Sequence, residues 1–413
     1  MLSDTRSAAE EFSAYLADNV GADPYPVFGR MRQEAPVVWI EPLGAWVLTR
    51  WDDITAMLED GEHYGPLMNR PGTSSIFGRA ILQMSGDEHR RKDAILAKRL
   101  RSPRHLGSTI EEIVSGLVRE YGEQLPVAPE AADLRAGLTE PVPLGAIAEL
   151  MDMGEASSFR TWYNDIVAAG TSNVSQDPVV HAKGEAARDE LFDFVTPSIE
   201  ERRTCPGDEL LSDLCSMEYE GERLSDDEVR SFTAFLLSAG IETTDRALAN
   251  LVKHLILAPE QWRRLKADPS LASSAATEIL RFRPPVQAIV RMAAQDMEIG
   301  GTAIPAESKL MGFIASANHD PDRFDDPEVF DVGRFEGTER PNYTPIGPIR
   351  AFGAGPHTCT GSLLAKLEME RTLEYLLDRF DRLEFAGGVP PDTGIVLRSP
   401  VTLDVILHPA GAN

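Results

Sequence analysis

The sequence predicts a mainly α-helical fold with a minor β component. Helical periodicity of the apolar residues dominates the chain from about residue 86 to residue 283. Short strand-like segments precede and follow that region. No internal repeat, low-complexity tract or Gly/Ser-rich linker marks a boundary within the chain. We therefore expect one domain over residues 1–413, with a loosely ordered N-terminus over residues 1–20.

Short elements are predicted before the helical region. The stretch "PVFGRMRQEAP" predicts a helix, "VVWI" and "AWVLTR" predict two strands around a Pro-Leu-Gly turn, and "DDITAMLED" predicts a second helix. Residues 61–86 are rich in Gly, Pro and Ser and predict a long loop. Because long loops are uncommon in compact domains, this one suggests a binding role.

Strands are predicted again after residue 283. The segments are "MEIGGTAI", "SKLMGFIAS", "GIVLR" and "VTLDVILHP". Between the second and third of them, "AFGAGPHTCTGSLLAKLEMERTLEYLLDRF" places a glycine-rich loop before an amphipathic helix.

Composition restricts the classes of partner. The formal net charge of -26 argues against nucleic acid or an anionic membrane as the main partner, since either needs a basic surface. The N-terminal residues are polar and acidic, and no apolar run is long enough to span a bilayer, so we expect a cytoplasmic protein. The spacing of Cys205 and Cys215 fits neither a zinc site nor a redox pair.

A long central helix is predicted between two terminal signals. Ser225 and Glu228 form a capping box, and Pro259 follows the other end about 30 residues later. Within it Gly240 weakens the helix, and the Thr243 hydroxyl can bond back to the Ala239 carbonyl.

Two interpretations of the middle of this helix stay open. Gly240 is a packing glycine beside tolerated threonines, or a small ligand lies in a groove there. In the second case Glu242 and Thr243 would supply protons to that ligand.

Two further charged features stand later in the chain. Glu278 and Arg281 lie three residues apart on one helix face, which alone is a weak signal of an ion pair. Arg291 lies in a mostly apolar, strand-like segment, where a charge needs a partner. A buried anion would supply one.

Cys359 has several candidate roles. The text "GAGPHT" lacks the third glycine of a dinucleotide loop, and a zinc site lacks enough ligands. A cysteine hydrolase built on Cys359 and His357 stays an alternative, although two residues in one loop form a poor pair. A thiolate ligand fits best, because a loop that leads into a helix favours an ionised sulfur. One axial thiolate on haem iron needs only one cysteine.

The segment "FGAGPHTCTG" resembles the haem-thiolate signature of the cytochrome P-450 family, F-x-x-G-x-[HR]-x-C-x-G, at every specified position. Further segments resemble family motifs in the family's order. "AGIETT" is similar to its oxygen-activation motif and "EILR" to its E-x-x-R pair. "ANHDPDRFDDPEVFDVGRF" is similar to the segment whose arginine joins that pair. Together these resemblances cover most of residues 20–408. They imply a single-domain, helix-rich prism with small sheets and haem b between the long central helix and the cysteine loop.

The resemblance also implies roles for individual residues. Cys359 would be the axial ligand of the haem iron, and Glu242 with Thr243 would deliver protons during oxygen activation. The other expected haem-binding residues are His357, Arg291, His89, Phe352, Gly353, Ala239 and Gly240, the first three as partners of the propionates. Glu278, Arg281 and Arg334 would form a structural triad that supports the cysteine loop.

The chain departs from the family pattern at two positions. Many relatives have an arginine four residues after the equivalent of His89, and this chain has Asp93 there. A propionate partner is therefore missing, and Arg90 or Lys92 would have to compensate. His319 stands where an arginine is usual.

The stretch "HRRKDAILAKRLRSPR" is a basic segment in an acidic chain. It is either a solvated helix face or a dock for an acidic partner. The family resemblance favours the dock, with ferredoxin and ferredoxin reductase as electron donors. The candidate contact residues are Arg90, Arg91, Lys92, Lys98, Arg99 and Arg101.

The function implied is a monooxygenase that inserts one oxygen atom of O2 into a hydrophobic small molecule such as a terpenoid, polyketide or fatty-acid derivative. Candidate pocket residues, each of which could equally be ordinary core, are Ile76, Phe77, Phe235, Leu236, Val286, Ile289, Ile395 and Val396. Arg70 and Arg79 either pair with a substrate carboxylate or are solvated.

Two alternative functions stay open. One is a haem enzyme of the same fold with peroxygenase or coupling chemistry, and the other is a non-catalytic haem or ligand-binding protein. We expect a monomer.

Overall fold

The computed structural model describes residues 6–18, 21–66, 76–101, 108–154, 159–172, 177–338 and 348–411. Its helices are α1 (Ala8–Asp18), α2 (Tyr25–Glu34), α3 (Trp51–Glu59), α4 (Gly86–Leu100), α5 (Ser108–Glu123), α6 (Pro141–Met151), α7 (Arg160–Val167), α8 (Pro178–Thr204), α9 (Leu210–Ser216), α10 (Asp226–Leu257), α11 (Pro259–Ala267), α12 (Ala272–Phe282), α13 (Ile314–Ala317) and α14 (Ser362–Arg379). The mainly helical fold class is confirmed.

The strands are short and lie in four sheets. They are β1 (Val37–Ile40), β2 (Ala45–Leu48), β3 (Tyr64–Gly65), β4 (Ala131–Asp133), β5 (Ile289–Ala293), β6 (Met297–Ile299), β7 (Thr302–Ile304), β8 (Lys309–Gly312), β9 (Phe380–Phe385), β10 (Asp392–Thr393), β11 (Ser399–Pro400) and β12 (Asp404–Pro409).

The chain forms two compact units. The first comprises Met1–Leu67, Ala249–Cys359 and Gly388–Val401, and the second comprises Met68–Leu248, Thr360–Gly387 and Thr402–Asn413. The boundaries fall inside α10 and directly after Cys359.

The first unit is built on a five-stranded sheet of order β1-β2-β8-β5-β3. Only the β2–β8 pair is parallel, and Trp46 opposes Leu310 there. A core of buried aromatic rings packs beside it, in which Phe12 and Phe313 meet edge to face with centroids 5.4 Å apart. Phe12 belongs to α1, the helix that covers Ala8–Asp18 of the N-terminal segment. Burial of Phe12 and Tyr15 stabilises that helix.

Two strand predictions in the first unit need correction. "SKLMGFIAS" is strand only over β8 and then turns into α13. "GIVLR" is a turn, because Gly394 has φ +101° and a Cβ on it would lie 1.8 Å from the Leu397 carbonyl oxygen. The Arg398 side chain closes this turn by donating to the Gly394 carbonyl (3.2 Å).

The second unit contains α4 to α9, most of α10, α14 and a three-stranded antiparallel sheet of order β4-β12-β9. Its helices include two π-helical segments, Arg135–Thr139 and Ala168–Ser172. Strands β4 and β9 were not predicted from the sequence. No helix in the described ranges is both long and apolar enough to cross a membrane.

The central helix matches its prediction closely. α10 spans 32 residues, which corresponds to about 48 Å at the usual helical rise. The Glu228 carboxylate accepts from the Ser225 amide (2.9 Å), and the Ser225 hydroxyl accepts from the Glu228 amide (3.3 Å). Both halves of the capping box are therefore formed.

Candidate functional site

The predicted site residues are divided between the two units. The first unit holds Cys359, His357, Arg291, Phe352, Gly353, Glu278, Arg281 and Arg334. The second holds Glu242, Thr243, His89, Ala239 and Gly240.

The cysteine loop is shaped by its own backbone. The Cys359 amide donates to the Phe352 carbonyl (2.9 Å), so the eight residues 352–359 form a closed loop. Within that loop the Thr358 hydroxyl donates to the Gly355 carbonyl (2.8 Å). The Cys359 side chain itself is exposed. The loop therefore presents one accessible sulfur on a constrained backbone.

Two glycines make this loop conformation accessible. Gly353 and Gly355 have φ of +72° and +66°, which residues with a side chain rarely adopt. A Cβ on Gly355 would also lie 2.5 Å from the Leu58 carbonyl oxygen and 2.7 Å from Glu59 Cα. The backbone of α3 thus approaches the loop so closely that only glycine fits.

Arg291 lies on β5 opposite Leu310 of β8. Its guanidinium donates to the carbonyl of its neighbour Val290 (3.0 Å), and no carboxylate of the described residues forms an ion pair with it. Burial lowers the pKa of Arg291 to about 10. A cation held in this way suits an anionic group, and Cys359 offers a soft thiolate ligand, so these residues fit a haem.

The structure brings Glu278, Arg281 and Arg334 together. Arg281 donates to both oxygens of Glu278 (2.7 and 2.8 Å), and Arg334 donates to Glu278 as well (3.2 Å). Arg281 and Glu278 have no exposed surface. Arg281 also binds the Asn318 carbonyl (3.1 Å), while the Asn318 side chain accepts from the Arg350 amide (2.9 Å). The triad is thereby connected to the start of the cysteine loop.

On α10, both candidate proton donors have intrahelical partners. The Thr243 hydroxyl donates to the Ala239 carbonyl (2.9 Å), which confirms the predicted back-bond. The Glu242 carboxylate is buried and accepts from Arg246 one turn later (2.8 Å). Arg246 was not anticipated from the sequence.

Gly240 has a packing role. A Cβ at this position would lie 2.9 Å from Ile147 Cδ1 on α6. The packing interpretation of this glycine therefore has direct support, and the missing side chain brings α6 and α10 close together.

A second charged cluster includes Asp245, two residues after Thr243 on α10. Asp245 is fully buried and accepts from the Thr139 hydroxyl (2.6 Å) and from Arg135 (3.2 Å). The π-helical turn Arg135–Thr139 places both donors toward it. Burial, reinforced by the charges of Glu242 and Asp245, raises the pKa of Tyr163 strongly.

Glu368 of α14 is a buried acid that sequence reasoning missed. Neither of its carboxyl oxygens has a hydrogen-bond partner among the described residues. Burial raises the pKa of Glu368 to about 8, and the Thr244 hydroxyl opposes this rise. A carboxylic acid that is largely protonated at neutral pH therefore lies near α10. Its sequence signal, one Glu in an amphipathic helix, does not distinguish it from surface acids.

The basic segment on α4 is largely neutralised within the second unit. Arg90 pairs with Glu220 (2.6 Å), Arg91 with Glu222 (2.9 Å), and Lys92 with Glu228. Arg99 pairs with Asp213 (2.5 Å) and Arg101 with Asp93 (2.9 Å). Of the six candidate contact residues, only Lys98 has no ion-pair partner among the described residues.

These pairs correct the suggestion that Arg90 or Lys92 compensates for Asp93. Both cations are engaged by carboxylates of the α9–α10 region, since α4 packs beside it. His89 is buried on α4. Asp93 is not left unpaired, because Arg101 and the Thr360 hydroxyl (2.8 Å) both donate to it.

The candidate pocket residues form two groups. In the second unit Ile76 and Phe77 are buried, and Phe77 meets Phe235 edge to face with centroids 6.2 Å apart. A Cβ on Gly170 would lie 2.6 Å from the Phe77 ring, so the π-helical turn accommodates that ring. Leu236 is buried on α10 of the same unit.

The other group lies in the first unit. Val286 bridges Leu397, and the Gln287 amide donates to the Val396 carbonyl (2.7 Å). Ile395 and Val396 also pack against the aromatic core, which supports the interpretation that they are ordinary core residues. Ile289 Cδ1 would lie 3.8 Å from a Cβ on Gly353, which places Ile289 beside the cysteine loop.

Arg79 and Arg70 were the two candidate partners for a substrate carboxylate. Arg79 forms a bidentate pair with Glu88 of α4 (2.6 Å for Nη2 to Oε2), so it is not a free partner for a substrate carboxylate. Arg70 and Arg104 lie outside the described residues. Residues 69–75 of the stretch "NRPGTSSIFG" also lie outside them. No group of three His, Cys, Asp or Glu side chains in the described ranges could hold a metal ion.

Comparison with known proteins agrees with this geometry. The family model of cytochrome P-450 matches residues 173–403. Nocardicin C N-oxygenase of Nocardia uniformis subsp. tsuyamanensis is 32% identical over 410 residues, covering 94% of this chain and 97% of that protein. The 6-deoxyerythronolide B hydroxylase of Saccharopolyspora erythraea is 31% identical over 405 residues, covering 93% and 94%.

Solved structures extend the likeness to the fold. Substrate-free CYP109E1 from Bacillus megaterium superposes with a TM-score of 0.84 at 26% identity, covering 94% of this chain and 99% of that chain. The relatives span nearly the whole chain, and they are named as oxygenases and hydroxylases. This chain is therefore an enzyme of the cytochrome P-450 family.

Proposed function

We propose that the chain is a haem b-dependent monooxygenase that inserts one oxygen atom of O2 into a hydrophobic small molecule. The observation that carries the proposal is the Cys359 loop, where a constrained backbone presents one accessible sulfur. An accessible cysteine on a loop that opens a helix is a suitable thiolate ligand.

The haem, when bound, supplies the oxygen-activating chemistry. In this proposal Cys359 ligates the iron, and Arg291, His357 and His89 contact the propionates. Phe352, Gly353, Ala239 and Gly240 line the binding site. Glu278, Arg281 and Arg334 hold the segment that leads into the cysteine loop.

Proton delivery is the task we assign to Glu242 and Thr243. The Thr243 hydroxyl can exchange its bond to the Ala239 carbonyl for a bond to a water or a reacting group, because that bond is local and replaceable. Glu242 is held in place by Arg246, so it stays oriented while it passes a proton.

A hydrophobic substrate is supported by the pocket candidates and by two relatives. All eight candidates are apolar: Ile76, Phe77, Phe235, Leu236, Val286, Ile289, Ile395 and Val396. The names of two relatives refer to 6-deoxyerythronolide B and to erythromycin. We therefore propose a macrolide-like polyketide, a terpenoid or a fatty-acid derivative as the substrate class.

The electron donors we propose are a ferredoxin and its reductase, with the enzyme acting as a monomer of one domain. The ion pairs on α4 weaken the simple docking model, since most of its cations already have acidic partners. We therefore assign the first contact to Lys98 and expect Arg90 and Arg91, whose pairs are solvent-accessible, to exchange partners on docking.

Turnover with isotopically labelled oxygen tests the proposal. Haem-loaded protein is incubated with a ferredoxin, its reductase, NADPH and labelled O2, together with a panel of macrolactones, terpenoids and fatty acids. We expect one labelled oxygen atom per product molecule. Oxidation that needs only hydrogen peroxide would instead identify a peroxygenase, and a protein that accepts no electrons would be a haem or ligand-binding protein.

A further inference from the structure

Asp93, Arg101 and Thr360 form a closed ring of side-chain hydrogen bonds in the second unit. The Thr360 hydroxyl donates to one Asp93 oxygen (2.8 Å), and Arg101 Nη1 donates to the other (2.9 Å). Arg101 Nη2 also donates to the Thr360 hydroxyl (3.2 Å). Two of the three bonds involve a carboxylate, so they belong to the stronger, charge-assisted class.

The ring is partly buried, so its hydrogen bonds are partly protected from water. The Asp93 side chain is 13% exposed and the Arg101 side chain 34%. The Asp93 carboxylate therefore has less competition from water than a typical surface ion pair. Because each carboxylate oxygen has its own donor, removal of either donor leaves a partly buried acceptor unsatisfied.

The ring lies next to the cysteine in the chain, because Thr360 is one of its members. Thr360 directly follows Cys359, and on the other side of the loop the Cys359 amide is fixed by the Phe352 carbonyl (2.9 Å). α14 begins two residues after Thr360, and its N-cap Gly361 has no side chain that could cap the helix. The Thr360 hydroxyl thus holds the chain at the point where the cysteine loop passes into α14.

The ring also balances the charge of the acid at residue 93. Arg101 balances the Asp93 charge within the ring. Asp93 can therefore accept from Thr360 without adding net negative charge there.

We propose that Asp93 and Arg101 are positioning residues which act through Thr360 to hold the peptide after Cys359, and so keep the sulfur in place as the haem ligand. This inference rests on the proposed haem-thiolate function. It assigns to Asp93, in place of a contact with a propionate, the task of anchoring the loop.

The test follows the Soret band of the reduced, carbon monoxide-bound protein in mild urea. Thr360→Val and Asp93→Asn should each lose the strongly red-shifted band about tenfold faster than the parent, as expected for the loss of one charge-assisted hydrogen bond. Thr360→Ser keeps the hydroxyl and should restore the parent rate. In the double variant Thr360→Val/Asp93→Asn the two losses should be less than additive, because the bond between Thr360 and Asp93 is common to both changes.

Asp87→Asn is the matched control, since Asp87 is an exposed carboxylate on α4 that pairs with Arg90 (3.3 Å). It should leave the rate unchanged. Circular dichroism at the same urea concentration separates a local effect from unfolding. Thr360→Val with the parent rate, or with a faster loss that only parallels global unfolding, would overturn the inference. A parent protein without any red-shifted band would instead refute the haem-thiolate function itself.

Discussion

At the scale of single residues, Thr243 and Glu242 each form a hydrogen bond within α10. Thr243 is bonded to Ala239 and Glu242 to Arg246, each partner four residues away on α10. The Thr243 bond lies within one helical turn, so we expect its loss to appear in turnover and to leave stability nearly unchanged.

Thr243→Ala should uncouple electron consumption from product formation. Without the hydroxyl, proton delivery loses its last donor, so we expect about tenfold less product per NADPH and a matching release of hydrogen peroxide. Both quantities can be measured in one reaction. Thr243→Ser retains the hydroxyl and should remain coupled. Full coupling in Thr243→Ala would remove Thr243 from the proton pathway.

Glu368 gives stability a specific pH dependence. Burial raises its pKa from 4.5 to about 8 in the folded protein. The folded state therefore binds a proton that the unfolded state releases above pH 4.5, and this contribution to stability is lost as pH rises through about 8. Glu368→Gln should flatten the free energy of unfolding between pH 5 and pH 8, measured by urea titration.

The control for this change is Glu112→Gln, because Glu112 is an exposed residue of α5. Its pH profile should follow that of the parent. If Glu368→Gln also kept the parent profile, Glu368 would be ionised in the folded protein at neutral pH.

At this scale the sequence predicts residues that stand in local motifs. Cys359, Thr243 with its bond to Ala239, and the pair Glu278 and Arg281 can all be found in this way. Glu368 and the Arg101 bond to Thr360 cannot, because the burial of one and the partner of the other depend on residues far away in sequence. The same limit applies to Arg90 and Arg99 of α4, since their partners Glu220 and Asp213 lie more than 100 residues later.

At the scale of elements, long amphipathic segments with end signals were predicted well. α10 has a capping box and a following proline, and its bounds agree with the prediction. Short elements were predicted less well, because their conformation depends on tertiary neighbours. The segment "GIVLR" is apolar and β-branched, yet Gly394 turns the chain back on Leu397. β4 is only three residues long and pairs with β12, about 270 residues away.

The triad makes the segment before the cysteine loop sensitive to one substitution. Glu278→Gln removes the buried charge shared by Arg281 and Arg334, so we expect a loss of about 3–5 kcal/mol in the free energy of unfolding. Urea unfolding measures this loss. Glu384→Gln breaks an exposed pair with Arg382 and should cost less than about 1 kcal/mol. Equal effects of the two changes would show that the triad is not a stabilising element.

At the scale of the whole molecule, the predicted fold class and family are both confirmed. The mainly helical class follows from periodicity, and the family follows from motifs that occur in the expected order over most of the chain. The arrangement of charge did not follow from composition. The net charge of -26 argues against nucleic acid as a partner, but it does not reveal that acids such as Glu220 and Asp213 pair with the basic face of α4.

The absorption spectrum of the reduced protein with carbon monoxide shows whether Cys359 ligates the haem iron. We expect a strongly red-shifted Soret band in the parent, because a thiolate ligand is bound to the haem iron, and loss of that band in Cys359→Ser. Haem content is measured on the same samples, so that loss of the ligand is separated from loss of the cofactor. A colourless parent protein, or a red-shifted band that persists in Cys359→Ser, would contradict the assignment of Cys359.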